Sequence, residues 1–222
     1  IYGLPGQTME VWEQDLADLV SSGVDGADLY QLNVFDGSDL NRDIASGKVP
    51  PAATTSMQGD MFEFGRTYLE ARAYRRLSAA HWSANNRERS LYNILAKAGV
   101  PMFPFGSGAG GNVDGYGMML HRALKPYEDM VSRGEKPFMA LMKQSDLQPF
   151  VNQVVSQLEQ GYLDINTLVA MDSRLDELNW LYKLWEKRGL VSYNGLLYKL
   201  TSAGEFWTVN ITQSTLEAME YR

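Results

Sequence analysis

The chain has 222 residues, of which 45% are hydrophobic and 21% charged, and a formal net charge of −7. That is the make-up of an ordinary folded chain of one large or two small domains, not a disordered one, and the acidic balance argues against a protein built to hold a phosphate backbone. With no cysteine and only two histidines, His81 and His121, far apart in sequence, it excludes disulfides, thiolate metal sites and a histidine metal-ligand spacing.

No run approaches the roughly 18 apolar residues needed to span a bilayer, and no G-x-S-x-G elbow supports a Ser-His-Asp site. Residues 1–4 form an apolar, strand-like stub that breaks at Pro5-Gly6. Over residues 9–22, Val11, Trp12, Leu16, Leu19 and Val20 share one helical face, and Glu13, Gln14 and Asp18 lie largely outside it. Thr8 suits the N-cap, Glu10 the positive first turn and Gly23 the position past the end. Residues 27–35 are a second strand-like run, closed by Asp36-Gly37-Ser38. Strand, helix, strand predicts a βαβ unit with two parallel strands under a helix. Ligands of such sheets sit at the carboxyl ends of the strands, here Leu4-Pro5-Gly6 and Asn33-Val34-Phe35. Ile1 already lies inside the first strand, so the expectation is a fragment without its N-terminal part, self-associating through the open parallel edge.

Further along, Ser38 and Gly47 bracket a short helix, and Val49-Pro50-Pro51 is a linker. Residues 54–73 predict a long helix with Met57, Met61, Phe62, Tyr68 and Leu69 near one face and a basic tail at Arg72, Arg75 and Arg76. Residues 73–82 have room for a short strand carrying Leu77 and Ala79. Gly106, Gly108 and Gly111 form a formal G-x-G-x-x-G, but a dinucleotide fingerprint needs a helix to open on the loop, and residues 112–117 are turn-rich. A Rossmann site is rejected. The glycines still let backbone approach a ligand and present N–H groups to it, with a tight turn at a sheet edge as the plainer alternative.

From Lys125 the texture is helical, with helices over 126–132, 147–159 and 166–171. A longer helix is capped by Ser173, carries Leu175, Leu178, Leu181, Tyr182 and Trp185 on its apolar face, and stops at Gly189. Residues 190–200 predict a hairpin with a type I′ turn at Asn194-Gly195, and a last helix runs from Thr201 to about Met219. Helix, helix, hairpin, helix outlines a winged helix. Asp172, Asp176, Glu177 and Glu186 are mixed with Arg174, Lys183, Lys187 and Arg188, so no basic stripe faces a groove and nucleic-acid binding is disfavoured.

Ile1-Tyr2-Gly3-Leu4-Pro5-Gly6-Gln7-Thr8, followed by Leu29-Tyr30-Gln31-Leu32-Asn33-Val34, resembles the second half of an oxygen-independent coproporphyrinogen III oxidase-like radical S-adenosylmethionine (SAM) protein. His81-Trp82, the run Arg87 to Asn93, and Phe105 to Gly111 are closer to the anaerobic haem-utilisation branch of that superfamily. The resemblance implies an α/β fold: the C-terminal part of a partial (β/α) radical SAM barrel over residues 1–124, then a helical, winged-helix-like C-terminal domain over 125–222. It implies a cytoplasmic enzyme using SAM and a [4Fe-4S] cluster, whose Cys-x-x-x-Cys-x-x-Cys loop would precede Ile1, so the 222 residues alone would be inactive. The implied partners are haem or another porphyrin and a reducing electron donor. The implied reaction is haem ring opening with methyl transfer and iron release. Oxidative decarboxylation of coproporphyrinogen III and a haem-binding chaperone are the alternatives. Carried over by position, Asn33 and Gly110 are the cofactor contacts, and Arg87, Arg89, His81 and Gln31 are the substrate candidates. A polar strand end, a solvated loop and a histidine packed beside Trp82 are the plain structural readings of these residues. No catalytic residue is assigned.

Overall fold

The computed structural model describes residues 1–220. Two compact units emerge, one built from residues 1–90 together with the chain from Leu158 onward, the other from residues 91–157. The boundary expected between residues 124 and 125 falls inside the second unit.

In the first unit, α1 (Met9–Ser21) starts where the Thr8 hydroxyl accepts the Val11 N–H, and it buries Trp12 and Leu16. Next come β1 (Gly26–Asp28), α2 (Asp39–Ala45), capped by Ser38, and α3 (Thr55–Glu70), capped by Thr54. β2 (Arg75–Arg76) and β3 (His81–Ser83) complete an antiparallel sheet of order β1-β3-β2. Tyr2, Trp12, Leu16, Met61, Leu69, Tyr74 and Trp82 form the core. The Trp12 indole donates to the Met61 carbonyl at 2.8 Å, and Gly65 lets α3 close on the ring: a Cβ there would stand 3.1 Å from it.

The expected βαβ pairing shrinks to a single parallel bridge, Tyr2 with Gln31, made by Tyr2 N–H to Tyr30 O and Leu32 N–H to Tyr2 O, both 2.9 Å. The run 27–35 divides instead. Its start pairs antiparallel with His81–Ser83, and the Leu32 carbonyl is taken by the Gln58 side chain at 3.0 Å. A side chain thus satisfies a group that a continuing strand would have used. Leu77 and Ala79 fall in the turn between β2 and β3 rather than in a strand.

The second unit holds α4 (Leu91–Lys97), β4 (Gly110–Val113), β5 (Tyr116–Leu120), α5 (Leu124–Ser132), β6 (Phe138–Lys143) and most of α6 (Gln148–Glu159). β4, β5 and β6 form an antiparallel sheet in that order. The turn-rich stretch 112–117 proves to be its tight hairpin. Asp114 (φ 50°) and Gly115 (φ 76°) are both left-handed, as a two-residue turn matching strand twist requires. The helical texture expected from Lys125 is interrupted by β6, which pairs with β5 through a bulge near Leu120.

The first unit resumes with β7 (Tyr162–Leu163), α7 (Ile165–Met171), a 3-10 helix (Ser173–Glu177), α8 (Leu178–Lys187), β8 (Val191–Tyr193), β9 (Tyr198–Leu200), α9 (Ser202–Phe206) and α10 (Thr208–Glu220). The strand order is β7-β9-β8. Asp172, not Ser173, provides the cap by accepting the Arg174 N–H, and it opens the 3-10 turn that leads into α8. The hairpin exists, but its turn is a four-residue loop over 194–197. Gly195 (φ 94°) alone is left-handed there, while the Asn194 side chain accepts the N–H groups of Leu196 and Leu197 at 3.0 Å. The last helix divides at Trp207. The Tyr182 hydroxyl, fully buried, meets Thr215 of α10 at 2.9 Å.

Two glycines separate packing from conformation. A Cβ at Gly204 would be driven into the Leu190 carbonyl oxygen, backbone against backbone, whereas at Gly195 nothing lies within 4 Å. Urea unfolding should show Gly204→Ala destabilised by about 3 kcal/mol. Gly195→Ala should lose only about 1 kcal/mol, from its left-handed φ.

Candidate functional site

Two glutamines build the carboxyl ends of the parallel strands. Gln7 is buried; its side-chain oxygen accepts the N–H groups of Gly3 (2.8 Å) and Leu4 (3.2 Å), and its nitrogen donates to Ile1 O and the Asp15 carboxylate. Gln58, buried on α3, donates to Leu32 O and accepts the Gln31 side-chain N–H at 2.8 Å. Gly3 is left-handed (φ 86°), and a Cβ on it would sit 2.5 Å from the Gln58 nitrogen, so only glycine admits that side chain. Gln31 therefore faces α3, and its strand neighbour Tyr30 is exposed. Asn33, two residues past the bridge, is exposed beside Phe35, whose ring is 71% exposed. The result is a rigid, uncharged backbone scaffold with an amide and an aromatic ring presented at its rim.

His81 has a different setting. Opposite Asp28 in the β1–β3 register, it places Nδ1 2.8 Å from the Asp28 carboxylate. Its Nε2 is buried without a hydrogen bond, 3.4 Å from a Glu88 oxygen. That separation is too long for a good hydrogen bond. Glu88 is fixed by the Ser90 N–H, which with the nearby imidazole holds its carboxyl below the usual range. Gly26 makes room for it, since a Cβ there would stand 2.6 Å from Glu88 Cγ. His81 is thus walled in by two carboxylates, a poor reception for an incoming anion. Arg87 reaches out into solvent, its side chain 81% exposed and 3.6 Å from Asp25, and Arg89 is exposed two residues on. His81 stands on β3 and Arg87 and Arg89 on the loop that follows it, in unlike surroundings.

Gly110 belongs to the second unit, exposed at the start of β4 and opposite Met119. The glycine run closes on itself: Gly108 N–H donates to His121 O (2.8 Å) and Ala109 N–H to Gly106 O (3.2 Å), while the Ser107 hydroxyl bonds His121 O and Arg122 O. Two of the N–H groups expected to face a ligand are therefore used internally. At Gly111 a Cβ would collide with the Met102 carbonyl, so that glycine serves the close approach of residues 102–104. Among the described residues no cluster of His, Asp and Glu has metal-holding geometry.

Sequence reasoning missed Gln7 and Gln58. A signal existed for the second: Gln58 lies three and four residues before Met61 and Phe62, a polar residue on the apolar face of its helix.

No family model matches the chain. It is similar to the anaerobilin synthase of Escherichia coli O157:H7, 32% identical over 221 residues, covering 99% of this chain and 49% of that protein. It is also similar to the mitochondrial radical S-adenosyl methionine domain-containing protein 1 of Mus musculus, 31% identical over 83 residues, 37% of this chain and 19% of that one. Its fold resembles that of coproporphyrinogen III oxidase from Escherichia coli, described as a radical SAM enzyme, with a TM-score of 0.71 and 16% identity over 96% of this chain and 53% of that one. The resemblance expected from the sequence is thereby met, and the chain spans about half the length of the first of these relatives.

Gln58→Leu strands the Leu32 carbonyl and the Gln31 amide, and should cost about 2 kcal/mol in denaturant unfolding. The folded-state pKa of Glu88 is lowered, so its stabilising effect is present above the ordinary carboxylate range and lost as pH falls through the lower folded value. Glu88→Gln should therefore be less stable than the parent at pH 7, and the gap should close as both are titrated into acid.

Proposed function

We propose, from its likeness along 99% of its length to anaerobilin synthase, that the chain is part of a radical SAM enzyme acting on a tetrapyrrole, with anaerobic haem ring opening, methyl transfer and iron release as its reaction. The extent and level of that identity is the observation that carries the reading. Oxidative decarboxylation of coproporphyrinogen III is the second reading, supported by the likeness of fold. A haem-binding chaperone is the non-enzymatic one.

A [4Fe-4S] cluster requires thiolates, and the chain has no cysteine. These residues do not fit that group, so its ligands and the chemistry it supports are assigned to protein outside the 222 residues. SAM fits better. Asn33 offers an exposed amide and Phe35 an exposed ring at the strand ends, groups suited to an adenine edge and face. Bound SAM would supply the transferable methyl group and the adenosyl moiety. Gln7 and Gln58 hold the backbone that presents Asn33, and Gly110 is a second backbone contact. Arg87 and Arg89, both exposed, are the residues for propionate carboxylates, which a guanidinium binds through paired hydrogen bonds. His81, between its two carboxylates, is the weakest of the substrate candidates. Residues 162–220 follow the outline of a winged helix used for packing. The backbone beside the Tyr2 bridge, on the side away from Gln31, is the surface proposed for self-association. No described helix is long and apolar enough to cross a membrane; a cytoplasmic role is proposed from the resemblance to radical SAM enzymes alone.

The test uses a product of the gene that contains a three-cysteine segment, with its cluster reconstituted under anaerobic, reducing conditions. With haem and SAM the Soret band should disappear and iron become available to a chelator, and coproporphyrinogen should remain intact. Arg87→Ala with Arg89→Ala should raise KM for haem about tenfold with a smaller change in kcat. Consumption of neither tetrapyrrole, or the absence of a three-cysteine segment from the gene, overturns the enzyme reading.

A further inference from the structure

The β4–β5–β6 sheet carries chemistry that the strand ends do not use. Residues directly opposed across antiparallel strands lie on the same face. The register sets Gly111, Met118 and Leu141 in one row and Val113, Tyr116 and Lys143 in the next. One face therefore presents four apolar side chains with a single cation at its margin. Leu141 is 55% exposed, Tyr116 is 43% exposed, and Lys143 is exposed with no ion pair among the described residues. The other face, with rows Gly110, Met119, Ala140 and Asn112, Gly117, Met142, carries no charge.

We propose that the first of these faces is a binding platform for a planar tetrapyrrole, its macrocycle flat on Met118, Tyr116, Leu141 and Val113 and one propionate on Lys143. The inference rests on the tetrapyrrole reading above and adds to it a site in the second unit. Three strands span about 10 Å from first to last, comparable with a porphyrin ring. At Gly111 the Met102 carbonyl and Pro104 lie where a side chain would stand, so residues 102–104 cover that end of the row and the platform is the remainder, Val113, Tyr116, Met118 and Leu141 with Lys143 at its margin. Tyr116 gives the ring an aromatic surface and Met118 a polarisable one. Charge decides between this occupant and a second copy of the chain. A copy adding to the sheet would pair with the backbone edge of β6 and leave the face bare, and a copy stacking the same face on it would bring no carboxylate for Lys143, since these rows hold none. A flat apolar molecule with a carboxylate on its rim matches both the apolar rows and their single cation.

The experiment titrates the 222-residue chain with haem and with metal-free protoporphyrin IX, followed by the absorbance shift, with sedimentation in parallel. Both porphyrins should bind saturably. Leu141→Asp and Lys143→Glu should each weaken binding about tenfold, and Lys143→Arg should restore it. Met142→Asp, on the opposite face, should leave the affinity unchanged. All three positions are exposed, and circular dichroism with urea unfolding confirms that each variant is folded. Affinities unmoved by Leu141→Asp and Lys143→Glu, or equally weakened by Met142→Asp, overturn the platform, as does the absence of porphyrin binding. A dimer of the parent that Leu141→Asp dissolves also overturns it, giving the face to a second copy. The enzyme reading stands or falls separately: haem turnover by the longer protein with a KM indifferent to Leu141→Asp removes the platform alone, and platform binding without turnover removes the enzyme reading alone.

Discussion

Gln58 is the constraint on which the first unit turns. A long helix is made amphipathic so that one stripe can be buried, and α3 spends one position of that stripe on an amide. Its two ends reach the Leu32 carbonyl and the Gln31 side chain, and the position opposite must be glycine. Without this contact the second strand would have a free carbonyl and a reason to continue its ladder. With it, the parallel pairing stops after one bridge and the chain beyond Gln31 is released as an exposed rim. The proposed cofactor contact Asn33 is a product of that release.

The same unit is assembled from segments distant in sequence, and an ion pair marks the join. Arg76 and Glu205 meet at 2.7 Å with both side chains largely buried. Burial lowers the Arg76 pKa and raises that of Glu205, so for each the cost of leaving water outweighs the attraction of its partner. Such a pair locates two segments more than it stabilises them. Gly161 supports it by leaving room for the guanidinium, and the Glu159 carboxylate accepts the Ala79 N–H nearby. Apolar contact also joins the two segments, Phe62 of α3 against Phe206 of α9 with ring centroids 5.7 Å apart.

The proposed chemistry divides along the same lines. The rim at the strand ends is neutral and amide-rich, suited to holding a nucleoside by its edges. The loop of Arg87 and Arg89 is charged and exposed, suited to carboxylates. The sheet in the second unit is apolar with one cation, suited to the body of a flat ring. His81 stands apart, since two carboxylates already claim its surroundings.

Local chemistry was legible in the sequence wherever it sufficed. The caps at Thr8, Ser38 and Thr54 formed as their side chains dictate, the apolar stripe of α1 buried Trp12 and Leu16, and the hairpin after Gly189 appeared where alternation and Asn-Gly called for it. The resemblance to the coproporphyrinogen III oxidase-like proteins was legible too, because it was read from short runs such as Ile1 to Thr8 and Leu29 to Val34. Other features depended on partners remote in the chain. The residues after Gln31 read as strand, and only Gln58, 27 positions away, ended it. β6 read as part of a helical stretch until β5 offered it an edge. Asn194-Gly195 fits a two-residue turn by composition, but the Asn194 side chain accepts the N–H groups of Leu196 and Leu197 and the Asn194 N–H reaches the Leu197 carbonyl at 3.2 Å, which centres the turn on Gly195-Leu196. His81 could be named from sequence as a candidate ligand, yet its two carboxylate neighbours come from Asp28 across the sheet and Glu88 on the loop. Sequence determined which segments had a helical or extended preference. Tertiary structure decided where each stopped and what each polar group faced, because a buried hydrogen-bonding group takes whichever partner the fold brings to it.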